Sequence, residues 1–307
     1  MKATVIIPSL NGGENLISTV DALSRQLLPY QHSMHIIVVD DGSQDDSASQ
    51  VEQRFGPKVQ VLRSLNNRGR SMARNVGADA APIGTKILIF IDADCIPAHP
   101  NFVANHIAEF ETGAELAFGG IDVPGEGFWT LLQRKINATR RERFLSGDPL
   151  AFTSANFSIK RELFQRHGGF DLAFGRYGFE DRDLFARLED SGIRGRYALD
   201  APVIHMDSQS LRSICEKQSE AGLHGASIFR ARHLRAYRAM GASRMDSDLH
   251  QWLRIVDKFF WPVAQRVAAL PDSWLEWAWV PFGIRSTLAR FVYSLHFLHG
   301  TCQKYKC

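Results

Sequence analysis

The stretch Lys86-Ile87-Leu88-Ile89-Phe90-Ile91-Asp92-Ala93-Asp94-Cys95 sets the reading of the whole chain. Five apolar residues, three of them β-branched, run into two aspartates spaced one apart. A short continuous apolar run of this kind predicts a strand buried on both faces. Side chains alternate along extended backbone, so Asp92 and Asp94 are expected to project to the same side of the strand end. Two carboxylates held there suit a hard divalent cation, which takes oxygen ligands and is often shared with substrate phosphates. A solvated acidic strand end is the plainer alternative.

Upstream, strands and helices alternate. Thr4-Val5-Ile6-Ile7-Pro8 reads as a strand, followed by the loop Ser9-Leu10-Asn11-Gly12-Gly13 and a helix from Glu14 to Leu28 with Leu16, Ile17, Val20 and Leu23 at helical spacing. His35-Ile36-Ile37-Val38-Val39 is a second buried strand running into Asp40-Asp41-Gly42-Ser43. A helix from Ser47 to Phe55, a strand from Val59 to Arg63 and a helix from Arg70 to Ala81 precede the Asp92/Asp94 strand. This alternation predicts a parallel sheet with helices on both faces, in which ligands bind beyond the carboxyl ends of the strands. Pro8, Asp40, Asp41, Asp92 and Asp94 all fall at those ends. Asp40-Asp41 is either a turn-forming pair or a carboxylate able to accept a nucleobase imide N–H. Arg68, Arg70 and Arg74 gather at a helix start, where backbone N–H groups already favour anions. Arg70 or Arg74 is placed to pair with a diphosphate or with the acidic cluster, and a solvated helix face is the alternative.

The composition is that of a soluble globular protein, 307 residues with 45% hydrophobic and 22% charged. A net charge of +3 gives no ground for nucleic acid as a partner. Residues 1–207 carry 22 Lys and Arg against 26 Asp and Glu, whereas residues 208–307 carry 14 against 7. The basic C-terminal part is therefore expected to face something anionic. Cys95, Cys215, Cys302 and Cys307 are scattered without zinc-type spacing or a disulfide framework, which points to a reducing compartment. No signal-peptide pattern opens the chain and no run of about 18 uncharged apolar residues occurs.

Taken together, Val5-Ile6-Ile7-Pro8-Ser9-Leu10-Asn11, Ile37-Val38-Val39-Asp40-Asp41-Gly42-Ser43, Asn67-x-Gly69-x-Ser71-x-Ala73-Arg74-Asn75 and Phe90-Ile91-Asp92-Ala93-Asp94 resemble an inverting family 2 glycosyltransferase. The resemblance implies a GT-A fold: a Rossmann-like, mostly parallel central sheet with helices on both faces, then a helical C-terminal segment. It implies a nucleotide-sugar donor, usually a UDP-sugar, and a divalent metal, Mn2+ or Mg2+. Pro8, Leu10 and Asp41 would line the uracil site, Asp92 would lie near the ribose, Asp94 would ligate the metal, and Glu14 and Arg70 join the donor-binding set. Leu10 departs from the aromatic residue often found there. The first loop lacks the G-x-G-x-x-G spacing of a dinucleotide fold and the basic residue of a nucleotidyltransferase phosphate loop.

The second half extends the resemblance. Phe118 to Val123 reads as a strand, and a basic helical segment follows up to Arg143. Phe152 to Arg161 leads into a helix stopped at His167-Gly168-Gly169. Asn156 is a candidate sugar-pocket contact, or else a buried asparagine bonded to backbone. Phe179-Glu180-Asp181-Arg182-Asp183 matches the family's Glu-Asp motif at a helix start, and the resemblance makes Asp181 the base for the acceptor hydroxyl. His205 is either a core residue or the further metal ligand the family places there. Residues 1–207 are read as the catalytic domain, with 1–95 for the nucleotide and 96–207 for sugar and acceptor. Ser208 or Ser210 can cap a helix from Leu211 to Glu220, and another runs from Ile228 to Met240. Residues 208–307 are helical, basic and rich in Trp and Phe, as suits the headgroup layer of a membrane, with ordinary core helices as the alternative. The expected setting is cytoplasmic, peripheral at the inner face of the cell membrane. The expected acceptor is a glycan, lipid-linked or other hydroxyl compound. A binding scaffold that has kept the fold without catalysis is the main rival.

Overall fold

The four apolar runs of the first hundred residues are four adjacent parallel strands. They are β1 (Lys2–Ser9), β2 (Ser33–Asp40), β3 (Val59–Arg63) and β4 (Ile87–Ile91), side by side in the order β3-β2-β1-β4. The structure is a computed structural model that describes residues 1–207 and 209–303. β4 is buried along its whole length because both faces are covered. Ile87, Ile89 and Ile91 join a core with Leu16, Val20, Val51, Phe102 and Ile107 of α1 (Gly13–Ser24), α2 (Ser47–Phe55) and α4 (Phe102–Glu111). Phe90 points the other way, into a cluster with Phe157, Phe164 and Phe170. Ile37 and Val39 of β2 bury α3 (Arg70–Asp79) through Ala73.

Four further strands complete an eight-stranded sheet of order β3-β2-β1-β4-β7-β6-β8-β5. They are β5 (Cys95–Pro97), β6 (Leu116–Asp122), β7 (Asn156–Lys160) and β8 (Arg196–His205). β7 runs antiparallel to both β4 and β6, and β5 antiparallel to β8; the other pairings are parallel. The sheet is thus mixed α/β with a parallel majority, as the resemblance implies. The stretch before His167 is a strand followed by the six-residue α6 (Arg161–Arg166), because β7 is taken up between β4 and β6. The helix expected to reach Leu28 stops at Ser24, and the Leu27 N–H bonds to Pro100 O instead.

Strand β4 ends at Ile91, so Asp92 and Asp94 are not on a strand. Asp92 N–H is held by Ala155 O, and Cys95 N–H folds back to Asp92 O. The aspartates occupy a tight turn. The alternation that was expected to put their side chains on one side does not operate there.

The chain divides into two compact units. The first, Met1–Pro124, Arg134–Gly175 and Leu184–Asp207, holds the sheet. The second comprises Gly125–Gln133, Arg176–Asp183 and Ser208–Cys307. Helices α5 (Phe128–Leu145) and α7 (Glu180–Asp190) each contribute residues to both. The second unit is helical, with α8 (Leu211–Glu220), α9 (Ala226–Arg232), α10 (Leu234–Ala239), α11 (Leu253–Ala268) and α12 (Phe282–Gln303). Ser210 caps α8 by accepting from Ser213 N–H, and Asp272 accepts from Leu211 N–H. Ser208 and Cys307 lie outside the described residues. The helix expected from Ile228 to Met240 breaks at His233, whose ring turns to bond Asp183. A π-helical turn at Ala221–Gly225 packs on α12, where Gly222 and Gly300 are the residues that let the backbones meet.

Candidate active site

Two loops at the carboxyl ends of β1 and β2 are stitched into one ledge. Asn11 N–H donates to Ser43 Oγ, Gln44 N–H to Asn11 Oδ1, and Gly13 N–H to Asp45 Oδ2. Asn11 itself takes φ +53°, a conformation asparagine tolerates better than most residues. Leu10 is 45% exposed on this ledge, Pro8 is half-buried, and Glu14 is exposed in the first turn of α1.

Asp41 is buried between this ledge and the approach to α3. Its two oxygens accept from Arg68 N–H (2.9 Å) and Gly69 N–H (2.8 Å). Burial pushes its carboxyl up from the ordinary value, against the pull of those two bonds. Gly69, at φ +90°, makes the bonding possible, since a Cβ there would meet Gly175 O at 2.4 Å. Asp41 therefore has a structural task, and only its remaining lone pairs are available to a base.

The turn after β4 sends its two aspartates to different partners. Asp92 accepts from Arg74 Nη2 at 2.8 Å. Arg74 is 1% exposed and stacks over the Phe170 ring at 5.2 Å. Asp94 meets His205 Nε2 at 3.3 Å. The register explains this second pair. Cys95 opens β5 opposite His205 at the end of β8, and Met206 N–H bonds to Asp94 O. Burial raises the Asp94 carboxyl, but the hydrogen bond and charge of His205, with Arg70 adding to them, leave it lowered. Burial lowers the His205 imidazole, but Asp94 outweighs that and leaves it raised.

One ligand atom each from Asp94, Cys95 and His205 lies within 4.8 Å of the others. Cys95 is sealed in, and burial together with the charges of Asp92 and Asp94 holds its thiol well above the ordinary range, hence protonated. An oxygen and an imidazole nitrogen, both partly open to solvent, remain. That donor pair suits a divalent metal ion, with further positions left for other oxygen ligands.

Asn156 is placed differently. It is buried, its amide donates to Gly120 O and Ala201 O, and its carbonyl oxygen pairs with His106 Nε2. Asn156 is thus a brace inside the sheet layer, as the alternative of a buried asparagine bonded to backbone has it. His106, fully buried between Asn156 and Ser158, is a partner the sequence did not disclose. Burial lowers its imidazole to about 4.

In the second unit, Phe179 takes φ +73° immediately before the Glu180-Asp181 motif. A bulky residue is strained there, and such strain persists only where the surroundings fix it. Phe229, Tyr237 and Phe297 pack on its ring. Glu180 is buried and accepts from Gly178 N–H. Asp183 is fully buried and bonds His233 Nε2 at 3.0 Å, with Arg232 at 3.6 Å. Asp181 is partly exposed, with one oxygen accepting from Arg182 N–H. Of the three carboxylates it is the least buried.

Comparison with known proteins bears on the family and the fold. The profile of glycosyl transferase family 2 matches residues 4–168, and that of the N-terminal domain of galactosyltransferase matches residues 149–207. An uncharacterized glycosyltransferase of Bacillus subtilis, YfnE, is 28% identical over 264 residues, 68% of this chain and 66% of that protein. The chain spans 66%, 39% and 18% of the lengths of the first three curated relatives it matches. Among solved structures, the mannosyltransferase PcManGT from Pyrobaculum calidifontis, in complex with GDP-Man and Mn2+, superposes with TM-score 0.64 at 18% identity, covering 99% of this chain and 86% of that one. S. aureus TarS 1-349 in complex with UDP-GlcNAc gives TM-score 0.56 at 16% identity, covering 100% and 92%.

Proposed function

Because the chain belongs to glycosyltransferase family 2, we propose that it is a metal-dependent, inverting glycosyltransferase moving a sugar from a nucleotide-sugar, a UDP-sugar, to a hydroxyl acceptor in cell-surface glycan or glycolipid synthesis. One observation carries the reading: the Asp94–His205 pair, 3.3 Å apart, at the strand ends that also carry the Pro8, Leu10 and Asp41 ledges. Residues 1–95 are assigned to the nucleotide and 96–207 to sugar and acceptor. Leu10 offers an apolar face to the base, Asp41 an acceptor for its imide N–H, and Asp92 lies at the ribose. Glu14 stays with the donor set on the resemblance alone. Arg70, close enough to bias Asp94, faces the diphosphate. Asp94 and His205 would hold the metal, which when bound supplies Lewis-acid stabilisation of the departing diphosphate.

Asp181 takes the acceptor's hydroxyl proton. The acceptor oxygen forms its bond to the anomeric carbon while the bond from that carbon to the diphosphate breaks, the electron pair leaving with the nucleoside diphosphate. One displacement inverts the centre. The test is a panel of UDP- and GDP-sugars with candidate acceptors, reading nucleotide release with Mn2+ and with excess chelator. Acceptor-dependent UDP release only with metal is expected, and full turnover in chelator would remove the metal assignment.

We also assign the C-terminal helices to a membrane surface. Trp252, Ile255, Phe259 and Val263 follow helical spacing along α11, and Ile284, Leu288 and Phe291 along α12, and all are exposed. The ring centroids of Phe260, on α11, and Phe291, on α12, lie 6.5 Å apart, and Trp277 stacks on Trp279, itself 76% exposed. Exposed Arg254, Arg266 and Arg290 lie on the same two helices. No helix of the described residues is long and apolar enough to cross a membrane. Phe259→Ser combined with Trp279→Ser should weaken binding to phosphatidylserine vesicles at low salt. Equal binding by the double variant would return these residues to ordinary surface.

A further inference from the structure

A cleft of about 330 Å³ opens in the sheet unit beside β6, β8 and α5. Its size is that of a small-ligand site. The register of β6 against β8 slips here: Gly119 pairs with Ala198 but Ile121 with Val203, so residues 199–202 bulge out of the ladder. Bulges re-aim side chains and often flank sites. Asp122, on the cleft wall, is paired with Ile204, the neighbour of His205. The cleft therefore lies at the same end of the sheet as the Asp94–His205 pair.

Helix α5 presents one face to it. Arg134, Asn137 and Arg141 follow at helical spacing, with Ala138 leaving room between them and Arg140 beside them. These side chains are held in position. Arg134 donates twice to Val123 O, at 3.1 and 2.9 Å, and Asn137 donates to Ile121 O at 2.9 Å. The Arg141 guanidinium lies 5.1 Å over the Tyr197 ring, whose own position is fixed by stacking on Phe152. Arg140 approaches Asn137 Oδ1 at 3.4 Å. Three arginines, one aspartate and Asn137 thus line a cavity whose remaining wall is apolar and hydroxylic. Arginine forks match carboxylate and phosphate geometry, and a preset fork loses less freedom on binding.

We propose that this cleft binds the acceptor through an anionic group: the acceptor is a saccharide bearing a phosphate or a carboxylate. The word acceptor rests on the glycosyl-transfer reading; the binding of an anionic saccharide does not. Glucose 6-phosphate, glucuronate, glucose and inorganic phosphate are titrated calorimetrically into the full chain saturated with UDP and Mn2+. Both anionic sugars are expected to bind at least about tenfold more tightly than glucose, and more tightly than inorganic phosphate. Arg140→Gln with Arg141→Gln should remove about tenfold or more of that preference. Leu199→Glu, on the exposed rim, adds a negative charge without disturbing packing and should weaken the same two sugars alone. UDP affinity should stay within about threefold in each variant, which reports an intact fold. Equal affinity for glucose and its phosphate, inorganic phosphate binding as well as the sugar phosphate, or arginine variants that bind like wild type would each overturn the proposal. UDP affinity, measured separately, tests the donor reading, so loss of one result does not mimic loss of the other.

Discussion

Acidic residues cluster at the end of β4 and again at the start of α7, and the two clusters dispose of their charges in parallel ways. After β4, Asp92 is tied to the buried Arg74, while Asp94 keeps partial exposure beside His205. At α7, Glu180 is spent on Gly178 N–H and Asp183 on His233, while Asp181 keeps partial exposure. In each case neighbours engage the flanking carboxylates: Glu180 and Asp183 are buried, and Asp92, still 25% exposed, is held by Arg74. Buried carboxylates need partners; a reacting or ligating one needs room. The difference lies in the neighbours: Asp94 meets an imidazole, and Asp181 accepts from an N–H in the first turn of its own helix.

That contrast is sharpest at Asp94. Asp94→Asn should cut metal-dependent turnover at least about a thousandfold, roughly 4 kcal/mol of barrier, with the melting temperature little changed. A variant with near-normal Mn2+ dependence would erase the distinction between Asp94 and Asp92. Asp181→Asn comes next. General-base catalysis is worth about 10²–10⁴-fold, so turnover should fall at least about a hundredfold while UDP and metal affinity shift less than about threefold. Should Glu180→Gln prove the more damaging, the open member of the α7 cluster has been misassigned.

Asp92→Asn should act on stability. It leaves Arg74 in the interior without its carboxylate, a change that costs about 3–5 kcal/mol for fully buried pairs. Asp92 is 25% exposed, so about 2 kcal/mol is expected in urea unfolding. An unchanged urea midpoint would show that Asp92 does no structural work.

Much of this was legible in the sequence. The bounds of α2 and β3 follow from their own residues: Val51 and Phe55 repeat at helical spacing, and Gly56, at φ +50°, ends the helix. The motif ledges at Pro8, Asp41 and Asp94 fall where strand ends were expected. What spacing could not tell was which carboxylate is spent. Arg74, placed to pair with a diphosphate or the acidic cluster, meets Asp92, but Arg232 and His233 are remote in sequence from Asp183, and local pattern carries no record of that pairing. The sequence reads Asn156 as a sugar contact or a buried asparagine bonded to backbone, and its amide does bond Gly120 O and Ala201 O, with His106, which no local pattern disclosed, on its carbonyl oxygen.

His106 gives an effect of the same order as Asp92→Asn and a check on that buried brace. Its folded value of about 4 lies below the ordinary 6.5, so the unfolded chain takes up the proton first. Its contribution is fully present above the unfolded value and is lost as pH falls from about 6.5 toward 4. The loss between pH 7 and pH 5 is about 2 kcal/mol. Wild type and His106→Gln, unfolded in urea across that range, should differ in slope in that sense. Parallel slopes would place the imidazole in contact with water.

The most direct test of the central claim is the anomeric configuration of the product. With an α-linked UDP-sugar as donor and Mn2+ present, the product's anomeric proton coupling in NMR should report a β-linkage. An α-linked product would contradict a single displacement assisted by Asp181, and the absence of transfer across a broad donor and acceptor panel, with UDP still bound, would contradict glycosyl transfer itself.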